Sequence, residues 1–362
     1  MQLWLYTPYD HIPCGVIDSY SGLGITHKAV KPGAIEFECP LNDTTKLIRT
    51  DALLWPQGDE TAYLVTTCEK HTEPSGEEVI TVKGACLKWL LNQRVLALAK
   101  VYQGKSGAVM NQMLTGLFSD SRRAFPRFTW QISSAMGDDI TMEATADAYL
   151  TTFQAICEAS SLNMQVLFQS TERTMVLTVS AGHDRSVGNA AGNVPILFDE
   201  TLETIQNIEY TESIADSKNV MYISDSDDTV LEVGETASTG FQRFEDCTSD
   251  SGGKEVTNAD GSTTTLTDDQ YRQKKIEAAQ KELDKARPVK SATGDLPGSE
   301  QLLAYGVDYT LGDVVTVRKA SWAMDVSVRI TEEVRQQKNG LLPRKLTIGS
   351  PLPTIAERIK MR

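Results

Sequence analysis

The sequence lacks the features of a membrane-spanning or secreted protein. No stretch of its 362 residues approaches the roughly 20 consecutive apolar residues that a membrane-spanning helix requires. The N-terminal segment, MQLWLYTPYDHIPCGVIDSY, has neither the basic start nor the long apolar core of a secretory signal. We therefore expect no stable membrane insertion, and a chain that folds in a cytoplasm from Met1 onward.

Cysteine and histidine are also scarce. The six cysteines form no C-x-x-C pair and no disulfide framework, so buried free thiols are expected. Cys68, His71 and Cys86 could bind zinc, but a second paired ligand is missing, and a core cysteine beside a hairpin turn is the preferred interpretation. His183 neighbours an aspartate and a serine, yet members of a catalytic triad meet in space rather than in sequence.

Two further motifs resemble ligand sites only in part. QGKSG at 103–107 lacks the earlier glycine of a phosphate-binding loop, since position 99 is alanine. SDSDD at 224–228 offers carboxylates that suit calcium, but it lacks the glycine and distal glutamate of an EF-hand loop, so a hairpin turn is preferred. With no catalytic-serine, zinc-protease or catalytic-cysteine signature present, we predict no catalytic residue, cofactor or metal.

Negative charge is plentiful but confined to one segment. Residues 199–269 carry 18 acidic and 3 basic residues, a balance of −15, which leaves 31 acidic and 32 basic residues elsewhere. A nearly neutral remainder and one acidic segment argue against sequence-specific nucleic-acid binding, which needs a basic patch. A solvated surface is the default interpretation of such clustered carboxylates.

Residues 1–104 are predicted to form a first small β-barrel. GAIEFECPL alternates apolar and acidic residues, as a half-buried strand does, and TAYLVTTCEKHTEPSGEEVITVKG indicates a hairpin. After Gly84 the period changes to that of a helix, with apolar residues at Leu87, Leu90, Leu91, Val95 and Leu98. We expect the glycine to let the backbone turn, and Trp89 to lie in the core as this helix closes the barrel.

The rest of the chain is predicted to form three more regions and a tail. Residues 105–192 indicate an α+β domain, and strands at 193–242 and 298–350 indicate a second β-barrel. Residues 243–297 would split that barrel as a polar, acidic insertion, and 351–362 would form a C-terminal tail.

The insertion is predicted to end in a helix. Thr267 and Gln270 fit a capping box, and Pro288 would stop the helix. Its apolar stripe is narrow, so we expect the helix to lie on a surface or to dock on another chain. The fold class predicted for the whole chain is therefore α+β and β-rich, with two barrel-like domains, the second split, and an α+β domain between them.

Four stretches, taken in order, resemble one protein family. VITVKGACLKWLLNQRVL contains Gly84, Trp89 and Arg94, and MVLTVSAGHDRS and KNVMYIS follow it. AYGVDYTLGDVVTVRKASWAMDVSVRITEE then contains Gly312, Asp313 and Arg329. In their order the stretches resemble the hub proteins at the tail tip of long-tailed phages, and more distantly the baseplate hub of contractile-tailed phages.

The resemblance implies a late structural protein of the virion, assembled in the host bacterial cytoplasm. Such a hub would be a homotrimer whose doubled barrels form a ring with near six-fold symmetry. Its partners would be a distal tail ring protein, the tape measure protein, and a tail fibre, spike or receptor-binding protein. The ring would close the tail tube, take part in host attachment, and open for DNA ejection.

Two alternatives to a purely structural hub are a tail-associated cell-wall hydrolase and a carbohydrate-binding adhesin. A carbohydrate-binding adhesin would show exposed aromatic side chains, and only 7% of the residues are aromatic, which argues against it. In a hub, the acidic segment could instead line the bore that DNA crosses, because negative charge would keep phosphates from sticking. The six candidates for lumen-facing positions are Glu203, Glu209, Glu212, Asp225, Asp227 and Asp228.

Overall fold

The computed structural model describes residues 1–97, 100–144, 147–224, 230–249, 253–257, 262–297, 302–337 and 341–349. The strands are β1 (Leu3–Tyr6), β2 (Pro13–Ile17), β3 (Ser21–Lys28), β4 (Ala34–Pro40), β5 (Leu53–Pro56), β6 (Tyr63–Thr72), β7 (Glu78–Cys86), β8 (Lys100–Lys105), β9 (Phe128–Gln131), β10 (Asp139–Ala144), β11 (Leu162–Gln169), β12 (Thr174–Ala181), β13 (Leu197–Asp199), β14 (Gln206–Ser213), β15 (Val220–Ser224), β16 (Val230–Gly234), β17 (Glu245–Thr248), β18 (Glu255–Thr257), β19 (Thr263–Thr265), β20 (Val289–Asp295), β21 (Val314–Lys319), β22 (Met324–Gln336) and β23 (Arg344–Gly349). The α-helices are α1 (Ser106–Phe118), α2 (Tyr149–Ala159) and α3 (Asp268–Lys285), and 3-10 helices cover Thr45–Leu47, Leu87–Gln93, Glu200–Leu202, Gly240–Gln242 and Ala320–Trp322.

A single large sheet runs through both β-rich regions of the chain. Its main path is β14–β20–β23–β22–β3–β4–β7–β6–β5–β1–β2, and β21 and β13 join it beside β22. The 13-residue β22 pairs with β21 along its first half and with β3 and β23 along its second. The predicted α+β, β-rich class is confirmed, and β22 is the strand that connects the two regions.

Strands β1 to β7 enclose their own apolar core. In β4, Ile35, Phe37 and Cys39 are buried while Glu36 is exposed, as the alternation of the sequence predicts. Leucine and isoleucine side chains from β1, β2 and β3 pack against them. The period-two pattern therefore identified the inward face of this strand correctly.

Gly84 allows two strands to pack closely rather than letting the chain turn. It lies inside β7, between β4 and β6, where a Cβ atom would come within 2.9 Å of both the Ile35 side chain and the Leu64 carbonyl oxygen. The chain turns only after Cys86, into a 3-10 helix over Leu87–Gln93 instead of the expected α-helix.

The 3-10 helix contacts the following α+β unit. Leu87, Leu90 and Leu91 are buried, and Val95 is exposed although it shares their helical spacing in the sequence. Trp89 is half-buried and packs against the larger core that the helix shares with α1, α2 and the β9–β12–β11 sheet. Leu98 lies outside the described residues.

The predicted capping box at the start of α3 is confirmed. The Thr267 side chain accepts from the Gln270 backbone, and the Gln270 side chain accepts from the Thr267 backbone. The apolar stripe of α3, which includes Ala279 and Leu283, covers the small β16–β15–β17 sheet. The helix therefore lies on the surface of this sheet, the first of the two predicted placements, and this part of its stripe is buried by the chain itself.

Two segments pair differently from the predicted division of the second barrel. Val220–Ser224, expected to be a barrel strand, is the central strand of the small sheet because its apolar side chains are covered by α3. Val289–Asp295, expected to belong to the insertion, forms β20 in the large sheet, between β14 and β23. Within the described residues, no helix is both long and apolar enough to cross a membrane.

We predict that Gly84→Ala lowers the free energy of unfolding by about 1–3 kcal/mol, because the added methyl group must push Ile35 and the β6 backbone apart. Urea unfolding followed by tryptophan fluorescence measures the change. The matched control is Gly24→Ala in β3, where a Cβ atom meets nothing within 4 Å, so its stability should hardly change. Equal effects of the two substitutions would contradict the packing role of Gly84.

Candidate functional site

A buried carboxylate holds the segment after β12 against the hairpin of β21 and β22. The Asp313 side chain is almost wholly buried and accepts hydrogen bonds from the backbone N–H groups of His183, at 2.7 Å, and Thr310, at 3.0 Å. The Arg185 Nε atom donates a third, at 3.2 Å, and forms an ion pair with it. We call Asp313 and these three donors the Asp313 latch.

Two glycines let the backbones approach at this latch. Gly312 has a φ of +91°, and a Cβ atom there would fall 2.0 Å from the Asn163 side-chain amide. A Cβ atom on Gly182 would fall 1.9 Å from the Gly312 carbonyl oxygen. Side chains cannot fit at either position, which explains why glycine precedes the buried aspartate in one stretch and His183 in the other.

Arg329, on β22, continues the same junction into the α+β unit. One terminal guanidinium nitrogen donates to the Leu162 carbonyl oxygen at 2.8 Å and to the Asn163 side-chain oxygen at 2.6 Å. Burial lowers the pKa of this guanidinium from its usual value. The structure therefore brings Gly312, Asp313 and Arg329 together at one contact between the α+β unit and the β21–β22 hairpin.

Arg94 lies at a second contact, on the other side of the α+β unit. Its Nε atom donates to the Arg123 carbonyl oxygen at 2.7 Å, and its guanidinium lies 4.2 Å from the centre of the Phe125 ring. Its own carbonyl oxygen accepts from the Tyr149 N–H at 2.9 Å, at the start of α2. Arg94 thus fastens the end of the 3-10 helix, which carries Trp89, to this unit.

A buried network of charges, which the sequence reasoning missed, lies where β22 meets β3. Glu333, with no exposed side-chain surface, pairs with Arg335 Nε at 2.7 Å and Arg344 Nε at 3.3 Å. His27 Nε2 lies 3.1 Å from an Asp59 carboxylate oxygen, which is 3.4 Å from Arg335. We call these five residues the Glu333 network.

The network holds Asp59 in its charged form. Burial raises the pKa of this carboxyl group, but the hydrogen bond from His27 and the positive charges of His27 and Arg335 outweigh burial and lower the pKa below its usual value. The sequence gives little warning of this cluster, since the alternating charges of TEEVRQ resemble an ordinary solvated strand face.

Three of the six acidic residues predicted to face a lumen lie within the part of the chain that the structure describes. Glu203, Glu209 and Glu212 are exposed on or beside β14, the terminal strand of the large sheet. Glu209 lies 3.8 Å from the Lys345 ammonium, and Glu212 lies 3.4 Å from that of Lys290, so lysines partly offset their charge. Asp225, Asp227 and Asp228 lie outside the described residues.

The alternative zinc site does not assemble. In the ladder of β6 and β7, Cys86 lies four residues beyond the partner of Cys68, a separation of about 13 Å. His71 instead pairs with Glu73 at 2.9 Å, and with Glu38 the two place ligand atoms within 4.8 Å of one another on an exposed surface. A histidine–glutamate ion pair accounts for this contact without a metal.

Known proteins are similar to this chain over nearly its whole length. The family model described as Siphovirus ReqiPepy6 Gp37-like protein matches residues 2–350. Prophage tail protein gp18 from Listeria monocytogenes EGD-e has a TM-score of 0.54 at 12% identity, over 99% of each chain. The 43 kDa tail protein of prophage MuSo2 from Shewanella oneidensis has a TM-score of 0.57 at 10% identity, over 96% of this chain and 97% of its own.

A third solved structure agrees with these two. The tail protein from Neisseria meningitidis MC58 has a TM-score of 0.58 at 10% identity, over 96% of each chain. At such low identities these likenesses establish a shared fold. No curated protein matches the sequence.

We predict that Asp313→Ala lowers the free energy of unfolding by about 3–5 kcal/mol, because it leaves Arg185 unpaired and two buried N–H groups without an acceptor. Denaturant unfolding measures the loss. The matched control is Asp325→Ala on the same hairpin, which removes an exposed ion pair with Arg318 and should cost less than about 1 kcal/mol. A loss at Asp313 no larger than at Asp325 would refute the latch.

Proposed function

The chain belongs to the Siphovirus ReqiPepy6 Gp37-like protein family, and from that premise we propose that it is a structural protein of a phage tail, serving as the hub of the tail tip. The observation that carries the proposal is the likeness in fold to three tail proteins, two of them from prophages, which extends over 96% or more of this chain. A likeness of that extent leaves little of the chain for a separate catalytic domain.

We propose that three copies form a ring. Each copy supplies two β-rich regions held in one sheet by β22, so three copies would place six such regions around an axis. The Asp313 latch and the Glu333 network support a structural role, because buried polar contacts fix the relative orientation of the units they join. Such a ring could contact a six-fold tail ring on one side and a three-fold fibre or spike on the other.

The partners follow from this position in the tail. The hub would contact the distal tail ring protein, the tape measure protein, and the fibre, spike or receptor-binding protein that meets the host. It would close the tube before infection and open for DNA ejection. Zymography on peptidoglycan would reveal the alternative cell-wall hydrolase, and binding to a glycan array would reveal the alternative adhesin.

Assembled tails should contain three copies of the chain at the tip, because two β-rich regions per copy then supply six. Native mass spectrometry of the purified protein or of the tip complex should give a subassembly of three times the 39.8 kDa chain mass. A tail reconstruction with one or six copies would rule out the trimeric ring, whatever the state of the isolated protein.

We further propose that Glu203, Glu209 and Glu212 face the bore of that ring. Their exposure beside the terminal strand β14 is compatible with a lumen and equally with an outer surface. In a lumen, their charge would keep DNA phosphates from binding to the wall.

Replacing all three glutamates by lysine should therefore slow DNA ejection from assembled phage, because the wall would then attract phosphate. Ejection triggered in vitro and followed with a DNA-binding dye measures the rate. The control reverses three exposed charges on α3, Asp269, Glu277 and Asp284, and should eject at the normal rate. A normal rate in the β14 variant would place these glutamates on the outer surface.

A further inference from the structure

A cavity of about 180 Å³ lies where the three regions of the chain meet. The first β-rich region contributes Lys28 and Lys88 to its lining, and the α+β unit contributes Gln165. Tyr305 and Arg344 close it from the second β-rich region. Its walls combine polar and apolar surface and carry several cations, so it differs from the dry apolar voids of a protein core.

Lys88 is the unusual group in this lining. Its side chain is 4% exposed, on the 3-10 helix that follows β7. The ammonium donates one hydrogen bond, to the Lys28 carbonyl oxygen at 2.5 Å. Among the described residues no carboxylate lies within 4.0 Å of it, and burial lowers its pKa. Since a lysine ammonium has three donors, two of them have no acceptor among the residues that the structure describes.

The other buried cations of the cavity are already balanced. Arg335 pairs with both Asp59 and Glu333, and Arg344 pairs with Glu333. These two guanidinium groups and two carboxylates sum to zero charge, and His27, the fifth member of the network, supplies no negative charge. The neighbouring network therefore has no negative charge to spare for the Lys88 ammonium.

The remaining charged groups of the lining do not neutralise Lys88 either. Lys28 forms its own ion pair with Glu332, at 3.2 Å. Glu60 lines the cavity but is exposed to solvent and is not within ion-pair distance of Lys88. One buried positive charge thus stands in excess, and a buried charge without a counter-ion costs several kcal/mol.

We propose that this cavity binds one small oxyanion, a phosphate or carboxylate group, whose oxygens accept the two remaining N–H groups of Lys88. A cavity of about 150 Å³ is enough to hold a benzene molecule, so one of 180 Å³ admits an ion of this size. A monovalent anion would cancel the excess charge. It would also connect the three regions that line the cavity, independently of the tail function proposed above.

The test is thermal unfolding of the full chain in sodium phosphate or sodium acetate, against sodium chloride at the same ionic strength. A ligand that binds only the folded state raises the Tm, and we expect a rise of about 2 °C or more with at least one oxyanion. Lys88→Met, which keeps the length of the side chain but removes the charge, should abolish the rise. The control Lys70→Met, at an exposed position of β6, should keep it.

Two results would overturn the proposal: no rise with either oxyanion in the unsubstituted protein, or an equal rise in Lys88→Met. A rise with phosphate only, or with acetate only, supports it and identifies the class of anion. Should Lys88→Met fail to fold, crystals of the unsubstituted chain grown with the oxyanion that raises the Tm supply the answer. Electron density for that anion beside Lys88 Nζ supports the site, and a map without it there refutes the proposal.

Discussion

The register between β22 and β3 is the constraint on which the rest of the structure depends. Glu333 stands opposite His27 and Glu332 opposite Lys28, so each charged side chain meets its partner across the ladder. Because side chains alternate between the two faces of a strand, a slip of one residue between β22 and β3 would turn Glu333 away from His27. The two β-rich regions form one sheet only in this register.

Polar contacts rather than apolar ones fix this register, although burying their charges costs hydration free energy. A buried ion pair gains little stability over a well-packed apolar pair, since both charges lose their hydration. Removing one member, however, leaves the other buried and unpaired. The Glu333 network and the Asp313 latch therefore penalise wrong arrangements more than they favour the right one. In the ring proposed above, where each copy would present two β-rich regions at a set angle, such a penalty would be more useful than extra stability.

The sequence predicted the local features well. The alternation of β4, the capping box of α3 and the α+β, β-rich class all follow from patterns within short windows. Only the family resemblance indicates that the stretches LGD and AGHDRS belong together, and the structure shows how they meet: the Asp313 carboxylate accepts from the His183 backbone, 130 residues away.

Long-range pairing was the part that short windows could not supply. Asp59 and Arg335 meet across 276 residues, and the charges of TEEVRQ look solvated until β3 is placed beside them. The 3-10 helix after Cys86 also departs from the α-helical spacing of the sequence because of a contact with residues distant in the chain. The helix ends at Arg94, which is extended and contacts Arg123 and Phe125. Val95 follows this extended residue and is therefore exposed rather than part of the buried helical face.

The same long-range contacts bury the charges of the Glu333 network, while Glu203, Glu209 and Glu212 of the acidic segment are exposed on or beside the terminal strand β14. The Glu333 network pairs its buried carboxylates with arginines, and the acidic segment carries negative charge at exposed positions such as Glu203 and Glu212. Exposed like charges repel each other and weaken contacts between copies, whereas buried charges at fixed distances are screened little by salt. Contacts within the chain should therefore keep their geometry over a wide range of salt concentrations, and assembly of the trimeric ring proposed above should depend on ionic strength much more strongly.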